Sequence, residues 1–341
     1  METQLAESSP GRVGIVGAGF VAREHHLAAI AAAGGTVVAA CDPRPEALRE
    51  LSSAAPGIRT YGALDAMLEG TAIETVAVCT PPAQHVEPAL TALEAGCHVF
   101  VEKPLCLEPD AARPLAEAEP SERRVLMVGH NLRFHPLIER LRRVLSTGAI
   151  GGLEHVQHRW IGPSHTAGSD WGPGADLLFD RGAHCVDLVS HVAGPPTGAP
   201  AARGGGARPL TLAWNAGAVE CSVLMIDSQT HCNELHLIGE SGTIAVDLYR
   251  FDGLRVRGAE RLERDVAERL RAAMRFPAEL RDGLRWMRAG GVFRASYHRQ
   301  WRAFGGLVSG ASVPAAAGAA EGLLTVSTLH EAAALLAGEE R

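Results

Sequence analysis

A chain of 341 residues, 46% of them apolar, with a formal charge of −7 and a pI near 6.1 is long enough for two domains with full cores. Its acidic balance argues against nucleic acid, which needs a basic face. No uninterrupted apolar run approaches the ~18 residues that would span a membrane.

The first ten residues are polar and lack the charged-then-apolar layout of a signal peptide, so residues 1–10 are expected to form a loose tail. Seven cysteines show no C-x-x-C spacing, and several sit inside apolar runs. They read as reduced, buried thiols of a cytoplasmic protein. The run Val13–Val16 then enters the turn Gly17-Ala18-Gly19-Phe20-Val21-Ala22, and a helix-like segment follows. This is a Gly-x-Gly-x-x-Ala fingerprint. Gly17 allows the tight turn, Gly19 lets the backbone approach a pyrophosphate, and Ala22 lets helix and strand pack closely. The helix N-terminus brings unpaired N–H donors to the anion. A second strand-like run, Thr36–Cys41, ends in Asp42, about 20 residues beyond the glycines, where a carboxylate can take the ribose hydroxyls and repel a 2′-phosphate. That favours NAD. Arg44 keeps NADP open, since its guanidinium could hold the extra phosphate.

Further strand-like runs, Glu74–Cys79, His98–Val101 and Arg124–Gly129, alternate with helix-like stretches such as Glu87–Ala95. Alternation of this kind predicts a doubly wound parallel sheet with helices on both faces, the Rossmann arrangement, over residues 11–130. Residues 131–341 differ in character. A helix is expected over Asp176–Val192, followed by a Gly/Pro-rich loop over Gly194–Gly206. Strands are expected over Leu210–Trp214, Ala218–Ile226, Cys232–Ile238 and Thr243–Leu248, with a hairpin turn at Glu240-Ser241-Gly242. Strands with little helix between them suggest a C-terminal α/β domain built on a mostly antiparallel, open sheet. Unbroken apolar series such as Ser222–Ile226 suggest that a second subunit covers one face of this sheet. Residues 255–290, rich in Arg and Glu at helical spacing, read as a solvated helical insert, and Gly318–Ala337 as a closing helix.

Three more motifs complete a specific pattern. Thr80-Pro81-Pro82-x-x-His85 ends the fourth strand-like run, Glu102-Lys103-Pro104 ends the fifth, and Asp180-x-Gly182-x-His184-x-x-Asp187 lies in the expected helix of the second half. With the fingerprint, the chain resembles the glucose–fructose oxidoreductase/inositol dehydrogenase (Gfo/Idh/MocA) family over nearly its whole length, residues 255–290 excepted. The resemblance implies an NAD(P)-dependent oxidoreductase of CH–OH groups, working as a homodimer or homotetramer on a sugar, cyclitol or nucleotide-linked sugar. It implies Lys103, Asp180 and His184 as the catalytic set. It also implies a cofactor site formed by Gly17, Gly19, Phe20, Val21, Asp42 and Arg44 with Thr80, Pro81, His85, Glu102 and Lys103, and a Lys103–Pro104 bond that is often cis in similar proteins.

The chemistry follows from the residue types. Hydride transfer from an alcohol needs a group to take the hydroxyl proton and a cation to steady the alkoxide. An ammonium at a strand's carboxyl end suits the second role, and an imidazole suits the first. Asp180 and His184 share a helix face if one helix holds both. His85 is read as bracing its loop. Asn131 and Arg133 are candidates for substrate contact, with a structural ion pair the equal alternative for Arg133. Trp160 and Trp171 could stack on a sugar ring or sit in the core. Arg181 is expected to be solvated. The scattered histidines His25, His26, His155 and His158 show no metal geometry, so no metal is expected. Two other functions compete: a glycosidase that oxidises its sugar transiently, and a cofactor-binding regulator without turnover.

Overall fold

The computed structural model describes residues 8–118, 124–163, 176–205, 208–258, 265–288 and 290–339. Residues up to Phe134, together with Tyr297–His330, form one compact unit; His135–Ser296 and the residues from Glu331 form a second.

The first unit holds six parallel strands: β1 (Arg12–Val16), β2 (Thr36–Cys41), β3 (Arg59–Tyr61), β4 (Thr75–Val78), β5 (His98–Val101) and β6 (Leu126–Val128), in the order β3-β2-β1-β4-β5-β6. This is the doubly wound order of dinucleotide-binding sheets, with the switch point between β1 and β4. Alternate side chains feed two cores. Ile15, Ala40, Ala77 and Phe100 pack with Ala29 of α1 (Leu27–Ala32), Leu51 of α2 (Pro45–Ala54), and Trp301 and Phe304 of α9 (Val292–Val308). Val16, Val76, Val78 and Val101 pack with Met67 of α3 (Leu64–Gly70), Ala89 of α4 (Val86–Glu94), Leu115 of α5 (Pro109–Ala118) and Val326 of α10 (Ala319–Glu339). Burial on both faces explains why these strands read as continuous apolar runs.

The tail expectation needs correcting at its inner end. Ser8 and Pro10 are buried, the Ser9 hydroxyl donates to Gly34 O at 2.8 Å, and Thr75 Oγ1 donates to Pro10 O at 2.7 Å. Residues 1–7 lie outside the described residues.

The second unit opens with α6 (Pro136–Leu145), whose N-cap His135 accepts from Leu137 N. Its sheet has seven strands: β7 (Leu153–Gly162), β8 (Ala201–Gly205), β9 (Arg208–Ala216), β10 (Val219–Asp227), β11 (Cys232–Gly239), β12 (Gly242–Asp247) and β13 (Leu254–Gly258). Their order is β13-β12-β11-β7-β10-β9-β8, antiparallel except where β7 meets β10. The helix α7 (Gly182–Ala193) packs on β7 and β10. Within the expected Gly/Pro-rich loop, residues 201–205 pair with β9 as an edge strand. The expected helical insert begins with a strand, β13, and only then becomes the helix α8 (Asp265–Arg288), tied to α6 by Arg140–Glu279 at 3.0 Å. The apolar run in β10 still alternates: Cys221, Val223 and Met225 are buried, while Ser222, Leu224 and Ile226 are half-exposed.

Candidate active site

The fingerprint turn is built as its glycines require. Gly17 has φ +90°, and a Cβ there would lie 2.7 Å from the backbone of Cys79 and Thr80, so only glycine fits. A Cβ on Gly19 would meet nothing within 4 Å, which leaves open space above the turn. Phe20 is 64% exposed and Ala22 fully buried. Asp42 sits just past β2, and its Oδ2 accepts from Ala18 N at 2.9 Å. Arg44 clamps the same carboxylate, Nε to Oδ1 and Nη2 to Oδ2, both at 3.0 Å. Burial would raise the Asp42 pKa, but these Arg44 and Ala18 hydrogen bonds outweigh it and hold the carboxyl below its ordinary value. A glycine-lined opening beside a held carboxylate fits a dinucleotide. A ribose diol would share Asp42 with Arg44, whose side chain is 60% exposed.

Beyond β4 the Thr80-Pro81-Pro82 loop is braced by His85, as the sequence reading proposed. Its Nε2 lies 2.8 Å from Thr80 O and its Nδ1 2.8 Å from Pro104 O. Burial lowers the His85 pKa despite these carbonyls. The ring thereby joins the loop to the Lys103–Pro104 bond, which is cis. Glu102 is buried: Oε2 accepts from Lys103 N at 3.0 Å, and Oε1 lies 2.8 Å from Nε2 of the fully buried His26. Burial would raise the Glu102 pKa, but the hydrogen bond from His26 and the charge of Lys103 hold it below the carboxylate range. Asn131 and Arg133 lie in a buried 3₁₀ turn after β6, with Arg133 Nη1 donating to Ala316 O at 3.4 Å.

In the second unit a π-helical turn, Asp176–Arg181, leads into α7, with Asp180 before the junction and His184 after it. His184 is buried, and its ring lies 5.5 Å from that of Trp160 on β7. Arg181 is not solvated. It is 5% exposed and donates to Ile226 O and Pro163 O, because the turn needs these strand-end carbonyls satisfied. His158, two residues before Trp160 on β7, donates from Nε2 to Asn233 Oδ1 at 2.8 Å, and burial pushes its pKa down to about 4. Trp171 lies outside the described residues. Among the described residues no group of three or more His, Cys, Asp or Glu could hold a metal, and no helix is long and apolar enough to cross a membrane.

Residues 11–130 match the model of an oxidoreductase family described as having an NAD-binding Rossmann fold, GFO_IDH_MocA. That N-terminal stretch is similar to the NAD-binding domain of the Gfo/Idh/MocA oxidoreductases. It is 32% identical over 197 residues to a D-glucoside 3-dehydrogenase of Escherichia coli, covering 55% of this chain and 56% of that one. An inositol 2-dehydrogenase of Rhizobium meliloti is 32% identical over 181 residues, 53% and 52% of the two chains. The chain thus spans about half the length of these curated relatives. The fold similarity runs further. The WlbA dehydrogenase of Bordetella pertussis, solved with NADH and UDP-GlcNAcA, superposes with a TM-score of 0.75 at 18% identity over 98% of this chain and 97% of its own.

Three features carry little signal in the sequence. His26 was one of four scattered histidines, yet it is the buried partner of Glu102. Trp301 gave no signal, since its hydrogen-bond partner His26 lies 275 residues away. The third was there to be counted: Lys103 is the single lysine beside 31 arginines.

Proposed function

We propose that this protein is a cytoplasmic, homo-oligomeric NAD-dependent dehydrogenase or ketoreductase, acting on a secondary alcohol or ketone of a sugar, cyclitol or nucleotide-linked sugar. One observation carries the reading. A chain that uses arginine at 31 positions keeps a lysine at one, the carboxyl end of β5, between a buried glutamate and a proline. A compact ammonium can sit beside a developing alkoxide in a way that a broad, planar guanidinium cannot. The names of the similar proteins, a glucoside dehydrogenase and an inositol dehydrogenase, support the substrate class. The seven cysteines, all without disulfides, suit a reducing compartment. The half-exposed face of β10 suits a neighbouring subunit.

NAD, when bound, supplies the hydride acceptor for oxidation. Gly17, Gly19, Phe20 and Val21 would cradle its pyrophosphate, Asp42 and Arg44 would hold its adenosine ribose, and Thr80, Pro81 and His85 would line the loop over it. Lys103 donates a hydrogen bond to the substrate oxygen and stabilises its negative charge. His184 takes the hydroxyl proton, Asp180 supports the imidazolium or binds a second hydroxyl, and Trp160 offers a face to the ring. Asn131 and Arg133 are assigned to substrate polar groups. A panel of sugars, inositols and nucleotide sugars, offered with NAD and with NADP and followed by nicotinamide absorbance, tests the reading. Net reduction of NAD by one class supports it. Release of an aglycone without net reduction would point to a glycosidase instead, and silence across the panel with tight NAD binding to a regulator.

A further inference from the structure

We infer that His26 and Trp301 are positioning residues that hold Lys103 in place through Glu102; this rests on the proposed role of Lys103. Both side chains are fully buried, and neither belongs to the fingerprint turn Gly17–Ala22. Trp301 Nε1 donates to His26 Nδ1 at 2.9 Å, His26 Nε2 meets Glu102 Oε1 at 2.8 Å, and Glu102 Oε2 accepts the N–H of Lys103 at 3.0 Å. The chain of donors has one consistent direction. An indole N–H only donates, so Nδ1 must offer a lone pair and the ring carries its single proton on Nε2, aimed at Glu102. Burial disfavours a charged His26 ring while the neighbouring Cys79 and Glu102 favour one, but a second proton would set two N–H groups against each other in the interior.

The relay starts on a rigid base. The Trp301 ring stacks on Phe100 with centroids 4.6 Å apart and meets Phe304 edge-on at 5.4 Å. Phe100 lies on β5, the strand that ends at Glu102 and Lys103. The helix α9, nearly 200 residues downstream, therefore reaches the Lys103 backbone both through packing on its strand and through a chain of three hydrogen bonds. The π-helical turn Ala22–His26 just after the fingerprint brings the imidazole inward; such turns are frequent at functional sites. Both Glu102 oxygens are thus engaged, one by the Lys103 backbone and the other by His26.

The sole lysine makes the test direct, because acetic anhydride can modify no other side-chain amine in the chain. Its rate at Lys103 is read by peptide mass spectrometry in the NAD-free protein. Trp301→Phe keeps the stacking ring and removes the N–H; His26→Gln keeps an N–H for Glu102; His26→Ala removes both links. We expect Lys103 labelling to rise several-fold in Trp301→Phe and His26→Ala and to return toward the wild-type rate in His26→Gln. The NAD dissociation constant should stay within about twofold, and kcat should fall about tenfold, the scale of one lost buried hydrogen bond. The double variant Lys103→Ala/Trp301→Phe should be no slower than Lys103→Ala alone. Unchanged labelling in folded Trp301→Phe would overturn the inference whatever His26→Ala does. The two readings separate cleanly. If Lys103→Ala keeps full turnover while Trp301→Phe still changes labelling, the proposed catalytic role fails and the positioning stands. Loss of turnover in Lys103→Ala with unchanged labelling defeats the positioning alone.

Discussion

The two sheets of this protein place chemistry in different parts of a strand. In the first, every residue of β4 and β6 is buried, so side chains on the strands serve only packing. What can act lies past the strand ends, where the backbone turns at Gly17, Asp42, Thr80 and Lys103. In the second sheet, β7 alternates half-exposed and buried residues from His155 to Arg159, and the side chains of His158 and Trp160 stand within the strand, the latter 5.5 Å from His184 of α7. A parallel sheet covered on both faces leaves function to its termini; an open sheet can also spend its face. It follows that substitutions at a strand end of the first sheet should change binding or catalysis, whereas those within a strand of the second should mix function with stability.

The sharpest break of that comparison comes from the proposed catalytic residues. Lys103→Ala and His184→Ala should each lower kcat by roughly 10²–10⁴-fold, the range for oxyanion and acid–base groups. The NAD dissociation constant should change little for Lys103→Ala. His184→Ala should lose thermal stability as well, because the side chain is 6% exposed and packs beside Trp160. Steady-state kinetics with fluorescence titration and thermal melts would separate these effects. Near-normal turnover in folded His184→Ala would move the proton carrier elsewhere.

The same difference explains what could be read from the sequence. Strand-end function is local: Gly17, Gly19 and Asp42 lie within 26 residues of one another, and their backbone demands leave a pattern. Strands buried on both faces also announce themselves as apolar runs. The second sheet hid its central strand, since Leu153–Gly162 sets the polar His155, Gln157 and Arg159 at positions that alternate with buried Val156 and His158, and one of those buried positions is itself a histidine. Edge strands β8 and β13, rich in Gly and Arg, carried the weakest signal of all. Arg181 read as solvated because a single sequence does not show that two strand-end carbonyls wait for its guanidinium. His26 and Trp301 were invisible for a related reason: a hydrogen bond across 275 residues has no spacing to detect.

Gly17→Ala tests the strand-end side of the comparison by backbone alone. The new Cβ would need a left-handed φ and would stand 2.7 Å from the Cys79 carbonyl. Strain and overpacking together should cost about 2–4 kcal/mol. Thermal melts should fall by several degrees, and NAD binding should be lost. Full NAD affinity in this variant would mean that the turn is not where the pyrophosphate sits.

Within the second sheet, His158 ties site polarity to stability. Its folded pKa, near 4, lies below the ordinary value near 6.5. Between these values the unfolded chain binds a proton that the folded one does not, so stability rises with pH across this window and is lost as pH falls from about 6.5 toward 4. The full loss would be about 3 kcal/mol. His158→Gln keeps a donor for Asn233 without a titrating ring and should flatten the curve. Denaturant midpoints measured against pH for both proteins would show it; parallel curves would mean that the buried ring is not what titrates.

The smallest effect is the most specific to the cofactor. Asp42 and Arg44 pull the adenosine ribose choice in opposite directions: the carboxylate repels a 2′-phosphate and the guanidinium attracts one. In the structure they neutralise each other through two hydrogen bonds of 3.0 Å. Asp42→Asn removes the repulsion and leaves Arg44 with its charge uncompensated, so NADP should gain and NAD lose, shifting their affinity ratio about tenfold, the scale of one charge-assisted hydrogen bond. Arg44→Ala should shift the ratio the other way and by less, because a side chain 60% exposed acts through solvent that screens it. The carboxylate would keep its bond from Ala18 and would then be open to both ribose hydroxyls. Fluorescence titration of both cofactors against the three proteins gives the ratios directly. Equal ratios across all three would mean that the ribose does not lie against Asp42, and the cofactor reading of the β2 end would have to be abandoned.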